Sequence, residues 1–332
     1  MKIKEIIGID VSKKTIDVMV HTTQKHREFG NNSAKDIKIM ANWALKNTSF
    51  SQENILFVFE HTGLYSHQLA TTLTELGMSY TAVSGLEIKR SLGLVRGKDD
   101  KSDATNIALY GYRLRDELEP SQIPTEALQS IKRLLRLRKR LVRQRAGFKA
   151  SLKEHKRVLK VKDNQVFFEV QEKVLKELSK QIVKIEKAMD TIIKENKELT
   201  KMYKLITSIK GVGAQTALYM IVYTQGFTQF ETWRKFASYC GTAPFPNSSG
   251  TSLKGRTKVS HLANKEIKAL LSCCATSALQ YSPEMKQYYN RRLDQGKNKM
   301  STINIIRNKL LARIFAVVER GTPYVNTLKY AA

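Results

Sequence analysis

Cysteine is nearly absent. Cys240, Cys273 and Cys274 are the only three in 332 residues, and none sits in CxxC or CxxH spacing. That argues against a disulfide framework and a structural zinc site, and it fits a reducing, cytoplasmic setting. Long apolar runs are missing too. None approaches the ~18 residues needed to cross a bilayer, so no membrane partner is expected. The opening MKIKEIIGIDVSKKTIDV lacks the apolar stretch and small-residue cleavage site of a signal peptide. Acidic residues are scarce: 30 Asp and Glu stand against 57 Lys and Arg, a formal charge of +27. An excess of that size points to a polyanionic partner, and with the membrane set aside the partner is nucleic acid. Glycine is missing between Gly147 and Gly211, and proline between Pro124 and Pro244, so a long middle region is free of the usual helix breakers. What is present is enough for roughly two domains with real cores, and 42% hydrophobic residues exclude a disordered tail.

The first 120 or so residues alternate between strand and helix signals. Ile6–Val11, Thr15–His21 and Lys25–Phe29 read as three strands in meander. Ser33 reads as the N-cap of a helix running to about Lys46. Ile55–Phe59 is a continuous apolar run, as in a strand covered on both faces. A helix at Tyr65–Leu76 closed by Gly77, a strand at Ser79–Val83 and helices near 85–94 and 102–116 complete an α/β layer arrangement.

Residues 131–162 carry fourteen Lys or Arg against Glu154 alone, while Leu134, Leu135, Leu141, Val142, Phe148 and Leu152 keep a helical apolar stripe. A solvated helix face is the plain explanation of a charge run. Thirteen uncompensated charges repel one another, however, and favour a nucleic-acid backbone, with Arg133, Arg136, Lys139, Arg140, Arg143 and Arg145 as contacts. Next, Leu175, Leu178, Ile182, Ile185, Met189, Ile192, Asn196 and Leu199 are spaced 3-4-3-4-3-4-3, a heptad seam. It predicts a homo-oligomer (dimer or tetramer) through a coiled coil with Asn196 setting register; the alternative is a long hairpin packed on its own chain. The expected division is 1–124, 125–205 and 206–332. The last part is mostly helical, with helical patterns at Trp233–Tyr239, Ala263–Ala278 and Thr302–Arg320, and is interrupted by a loop at Pro244–Ser260.

Four carboxylates carry the chemistry. Asp10 sits within an apolar strand run and Glu60 ends another; charges at such places are normally paired or bound to metal. Asp100 and Asp103 share one face at a helix start. As a set they suit Mg²⁺, or Mn²⁺, in phosphoryl transfer. Asp100 and Asp103 also fit as plain helix N-terminal acids, and Asp99 and Asp17 are competing carboxylates. Gly211-Val212-Gly213, opening a helix, is similar to a helix-hairpin-helix turn whose amides hold phosphate, or it is an ordinary tight turn. On the loop, Ser249 precedes Gly250 and is followed by Lys254, Arg256 and Lys258. A solvated serine is the plain reading; a nucleophile or phosphate binder is the sharper one, and no histidine stands nearby as a base.

Taken together, these motifs resemble the transposases of the insertion-sequence 110 family, DEDD recombinases guided by a bridge RNA. Gly8-Ile9-Asp10-Val11-Ser12-Lys13, Glu60-His61-Thr62-Gly63-Leu64-Tyr65 and Lys98-Asp99-Asp100-Lys101-Ser102-Asp103-Ala104 are similar to its three acidic motifs. Gly211–Ala217 and Gly241-Thr242-Ala243-Pro244 with Ser249-Gly250 are similar to its C-terminal domain. The resemblance implies an α/β RNase H-like (RuvC-like) domain, a helical coiled coil and a mostly α-helical C-terminal transposase domain. It implies that Asp10, Glu60, Asp100 and Asp103 bind the metal and that Ser249 is the nucleophile. It also implies donor and target DNA selected by a structured guide RNA. Asp99 stands where the family more often has Thr, and Ser248 adjoins Ser249. A metal-dependent Holliday-junction-type endonuclease without serine chemistry is the alternative, and a non-catalytic nucleic-acid binder is a third.

Overall fold

Five strands grow from the apolar runs at the start of the chain: β1 (Glu5–Val11), β2 (Thr15–Val20), β3 (Lys25–Gly30), β4 (Ile55–Glu60) and β5 (Tyr80–Val83). They form one sheet in a computed structural model that describes residues 2–91, 93, 99–249 and 253–325; the side chains of Ser249, Leu253 and Lys254 are also outside the described part. The sheet order is β3-β2-β1-β4-β5. β1 is antiparallel to β2 and parallel to β4. The helices between and after the strands are α1 (Ala34–Lys46), α2 (Tyr65–Glu75), α3 (Gly85–Ser91) and α4 (Asp100–Arg113). Ser33 caps α1 in a capping box: its hydroxyl accepts from the Asp36 amide, and the Asp36 carboxylate accepts from the Ser33 amide.

Alternation along β1 and β4 divides the core of this unit (Met1–Ile123) between the two faces of the sheet. Ile7, Ile9, Phe57 and Phe59 pack with Ile37, Met40 and Leu69 of α1 and α2. Ile6, Leu56 and Val58 pack with Ala104, Ile107 and Ala108 of α4. Two glycines allow α4 to lie directly on the sheet. A Cβ at Gly8 would fall 2.4 Å from the Ala108 amide nitrogen and 2.5 Å from the Ala104 carbonyl oxygen. One at Gly111 would meet Ile6 and Val58 methyls at 2.8 and 2.9 Å. Since Gly111 lies over Ile6 while Ala104 and Ala108 lie over Gly8, α4 runs opposite to β1, and its first turn reaches the Asp10 end.

The second unit, Pro124–Ala332, is mostly helical: α5 (Glu126–Val158), α6 (Gln165–Glu195), α7 (Lys197–Thr207), α8 (Ala214–Tyr223), α9 (Trp233–Tyr239), α10 (Lys265–Tyr281), α11 (Pro283–Asp294) and α12 (Lys299–Arg320), with β6 (Pro244–Ser249) and β7 (Leu253–Val259). α5 and α6 form an antiparallel hairpin. Arg138 meets Glu186 and Lys156 meets Glu172, each at 2.7 Å. Leu128, Ile131 and Leu135 of α5 share a core with Ile185, Met189 and Ile193 of α6 and with α8, α10 and α12.

Two expectations are corrected here. The seam at 175–199 does not run through one continuous helix. α6 ends at Glu195, and Asn196 caps α7, its side chain accepting from the Leu199 amide at 3.0 Å. Asn satisfies an orphan N–H at a helix start better than almost any other residue, so its function here is local, and Ile182, Ile185 and Met189 are buried in their own chain. Asn196→Ala is therefore expected to cost about 1 kcal/mol in a denaturant melt and leave the sedimentation coefficient unchanged. A changed assembly mass at unchanged stability would restore the register role. The second correction concerns Pro244–Ser260. It is a two-stranded hairpin rather than a loop, with Ser248 opposite Lys254 and Ser249 opposite Leu253.

Candidate active site

The sheet register sets acids side by side. Asp17 pairs with Glu28 across β2 and β3, and Asp10 pairs with Asp17 across β1 and β2. Ile9 pairs with Phe59, so Asp10 and Glu60 are the next neighbours across the parallel pair. Directly paired residues share a face, and this face is the one covered by α4. The first turn of α4 brings Asp100 and Asp103 to the same end of the sheet.

Asp10 shows the effect. Burial, then the negative charges of Asp103, Asp100 and Asp17, raise its pKa from the ordinary 3.8 to about 6. No ion pair reaches Asp10, Glu60, Asp100 or Asp103 among the described residues. Glu5, the other acid of β1, makes the contrast. It is fully buried, yet the Ile6 amide donates to it at 3.0 Å and the Thr48 hydroxyl at 3.0 Å. A satisfied carboxylate belongs to the fold; a crowded, unpaired one lacks a counter-charge.

Asp10, Asp100 and Asp103 are thus brought together, and Glu60 shares their row with its carboxylate turned aside. A Cβ at Gly85 would fall 2.1 Å from Glu60 Oε1, so that carboxylate lies over the start of α3. Among the described residues no three His, Cys, Asp or Glu side chains already converge as a metal cage. The donor set nonetheless fits a divalent cation in kind: hard oxygens, clustered negative charge and, among the described residues, no ion pair to a protein cation.

The two competing acids are both engaged. Asp99 is the N-cap of α4, accepting from the Ser102 amide at 2.7 Å and the Ser102 hydroxyl at 2.9 Å, and these bonds hold its pKa below the usual range. Asp17, only 6% exposed, is hydrogen-bonded to His26 Nε2 at 2.8 Å. His26 was not singled out from sequence. The strand–turn–strand meander places it diagonally across from Asp17, a relation readable only once the turn at 21–24 fixes the register.

In the second unit, Gly211 and Gly213 differ. Gly211 has φ +93°, and a Cβ there would meet Ala278 backbone at 2.7 Å, so close packing on α10 requires glycine. Gly213, the N-cap of α8, faces open space. Along α5, Arg133 pairs with Glu126, Lys139 meets Glu266 at 2.9 Å, and Arg145 donates to Ser179 at 3.5 Å. The Arg136 charge acts on the Tyr223 phenol and opposes the rise in its pKa that burial causes. Arg140 and Arg143, one turn apart, are exposed with no partner among the described residues. Arg256 and Lys258 are exposed on β7. The side chains of Ser249 and Lys254 lie outside the described residues, although the backbone of both is within the hairpin. Among the described residues no helix is long and apolar enough to cross a membrane.

Two family profiles match this chain. One, described as "Transposase" and built on DEDD proteins of the IS110 type, covers residues 7–159. The other, "Transposase IS116/IS110/IS902 family", covers 203–290. A pilin gene-inverting protein of Moraxella lacunata is 26% identical over 97% of this chain and 98% of its own length, and its namesake in Moraxella bovis matches equally. The "Insertion element IS110 uncharacterized 43.6 kDa protein" of Streptomyces coelicolor is 29% identical over 42% of this chain and 34% of its own length.

Proposed function

The chain belongs to the IS110 family of transposases, enzymes of DNA recombination, and from that premise we propose that it cuts and rejoins DNA through the hydroxyl of Ser249, with Asp10, Glu60, Asp100 and Asp103 holding a divalent cation, Mg²⁺ or Mn²⁺. The observation that carries the reading is the raised pKa of Asp10, which is partly buried and then crowded by Asp103 and Asp100, with no ion pair to these acids among the described residues. The strand order β3-β2-β1-β4-β5, with α4 over the acid row, supports an RNase H-like (RuvC-like) catalytic part at 1–124. The basic helices at 125–205 and the serine hairpin within 206–332 complete the division.

A cation on these carboxylates would supply charge neutralisation at the phosphorus. The residues of the chain do the rest. The Ser249 oxygen bonds to phosphorus as the bridging ester oxygen leaves, and the serine proton is lost while the leaving oxygen gains one. The serine ester keeps the bond energy, so the reverse step with a new strand needs no external source. Arg256 and Lys258, exposed on β7 of the same hairpin, serve as phosphate contacts along the strand that the serine engages. Arg140 and Arg143 on α5 suit the backbone of a structured guide RNA, since a protein that leaves sequence reading to base pairing needs mainly shape and phosphate contacts. Recombination at paired sites calls for more than one copy. The relatives named for inverting a pilin gene favour rejoining over hydrolysis; the junction endonuclease would release free ends.

The test is a covalent protein–DNA species, formed by incubating the full chain with its flanking DNA, co-purifying RNA and Mg²⁺. Wild type is expected to form it. Ser249→Ala is expected to abolish it, leaving the melting temperature and RNA binding unchanged. A normal adduct yield in Ser249→Ala, with Ser248→Ala inactive, would move the nucleophile one residue back. Free ends with no adduct in wild type would support the endonuclease.

A further inference from the structure

The serine hairpin is rooted in a place the proposed reaction does not yet use. Gly241, left-handed at φ +67°, and the fully buried Thr242 lead into β6. The Thr242 carbonyl accepts from the side-chain amides of Asn304 at 2.8 Å and Asn308 at 2.9 Å, both on α12. Between those asparagines lies Arg307, only 8% exposed. Its Nη1 donates to Asn304 Oδ1 at 3.3 Å, while its Nε has no partner among the described residues, and neither does Asn308 Oδ1. On α10 the Lys268 ammonium lies 3.8 Å from where a Gly241 Cβ would sit. Burial, then the Arg307 charge, lowers the Lys268 pKa, and burial lowers that of Arg307.

No Asp or Glu among the described residues pairs with either cation, and the undescribed residues contain no Asp or Glu. Elsewhere the same unit treats half-buried arginines differently: Arg138 meets Glu186 at 2.7 Å, and Arg313 pairs with Glu284. A buried guanidinium next to a second cation, with no carboxylate, is costly to keep unless an anion joins it. Planar guanidinium plus a mobile ammonium is a phosphate-binding pair.

We propose that Arg307 and Lys268 form an anion site at the root of the serine hairpin and take a backbone phosphodiester of the strand that the hairpin engages. The assignment rests on the reading that this hairpin works on DNA. With the phosphate fixed against Gly241 and Thr242, the strand is registered on the same rigid root that carries β6, so the site positions DNA and is not itself part of bond breaking.

The test uses the full chain as wild type, Arg307→Gln and Lys268→Gln. Melting is followed in chloride and in inorganic phosphate at matched ionic strength, and binding of a labelled DNA duplex is followed against salt. Phosphate is expected to raise the wild-type midpoint more than that of either variant, and Arg307→Gln is expected to melt above wild type in chloride, because an uncompensated charge has gone. The salt slope of duplex binding should fall by about 0.9 in each variant, as for one lost phosphate contact. Lys268, at the more open end, carries the test if Arg307→Gln does not fold. Equal phosphate shifts in all three proteins would overturn the site. A phosphate shift lost in the variants with duplex slopes unchanged would overturn the diester assignment in favour of free phosphate. None of these readings depends on Ser249, so a failed adduct experiment and a failed anion site are separate results.

Discussion

Asp10→Asn is expected to abolish strand cleavage while making the metal-free protein more stable at neutral pH. Cleavage should fall at least ~10²–10³-fold, the loss typical when one stabilising group at a developing charge is removed. The stability gain follows from burial of the carboxylate and, after it, from crowding by Asp103, Asp100 and Asp17. Asp10 keeps its proton up to about pH 6 in the fold against an ordinary 3.8. Between those values the folded state binds the extra proton, so stability falls as pH rises through the window, and the penalty is complete above it. A shift of about two units corresponds to roughly 3 kcal/mol, and partial solvent access reduces this to about 1–2 kcal/mol. In chelator, then, the variant should melt a few degrees above wild type at pH 7.5 and level with it at pH 4. Added Mg²⁺ should raise the wild-type midpoint and leave the variant's in place. A variant that melts below wild type at pH 7.5 would show that Asp10 is a satisfied structural acid like Glu5.

The second large effect is Gly8→Ala. One methyl here meets α4 backbone at 2.4 and 2.5 Å, and backbone cannot rotate away as a side chain can. α4 must lift from the sheet, and Asp100 and Asp103 must move with it. Overpacking of this kind costs about 1–3 kcal/mol, and a displacement near 1 Å at the acids costs on the order of 10²-fold in rate. Gly8→Ala should therefore remain folded at low temperature yet cut DNA at least ~10²-fold more slowly. Near-normal cleavage would mean that the acids of α4 are not part of the machinery.

The first unit was readable because its strands are short β-branched runs between turn residues and its helices carry caps: Ser33 and Gly77 end elements where sequence rules say they should. Its acid row was half readable. Asp10 and Glu60 stand out as charges in apolar runs, but their adjacency with Asp17 and Glu28 is a matter of register, which no single strand reveals. In the second unit, heptad spacing could not show that Asn196 breaks the helix, since one asparagine suits a seam and a cap alike. β6, reading PFPNSS, has too little apolar alternation and too much proline to announce a strand. Arg307 and Lys268 look like surface charges of amphipathic helices; only packing reveals that one is buried and that neither meets a carboxylate among the described residues.

Calorimetric titration of the full chain with Mn²⁺ and Mg²⁺, repeated in buffers of different ionisation heat, tests the central claim most directly. If Asp10, Asp100 and Asp103 gather round one cation, wild type binds it saturably and releases part of a proton near pH 6, Asp10→Asn and Asp103→Asn lose that binding, and Asp99→Asn keeps it. Equal affinity in wild type and Asp10→Asn would contradict the account.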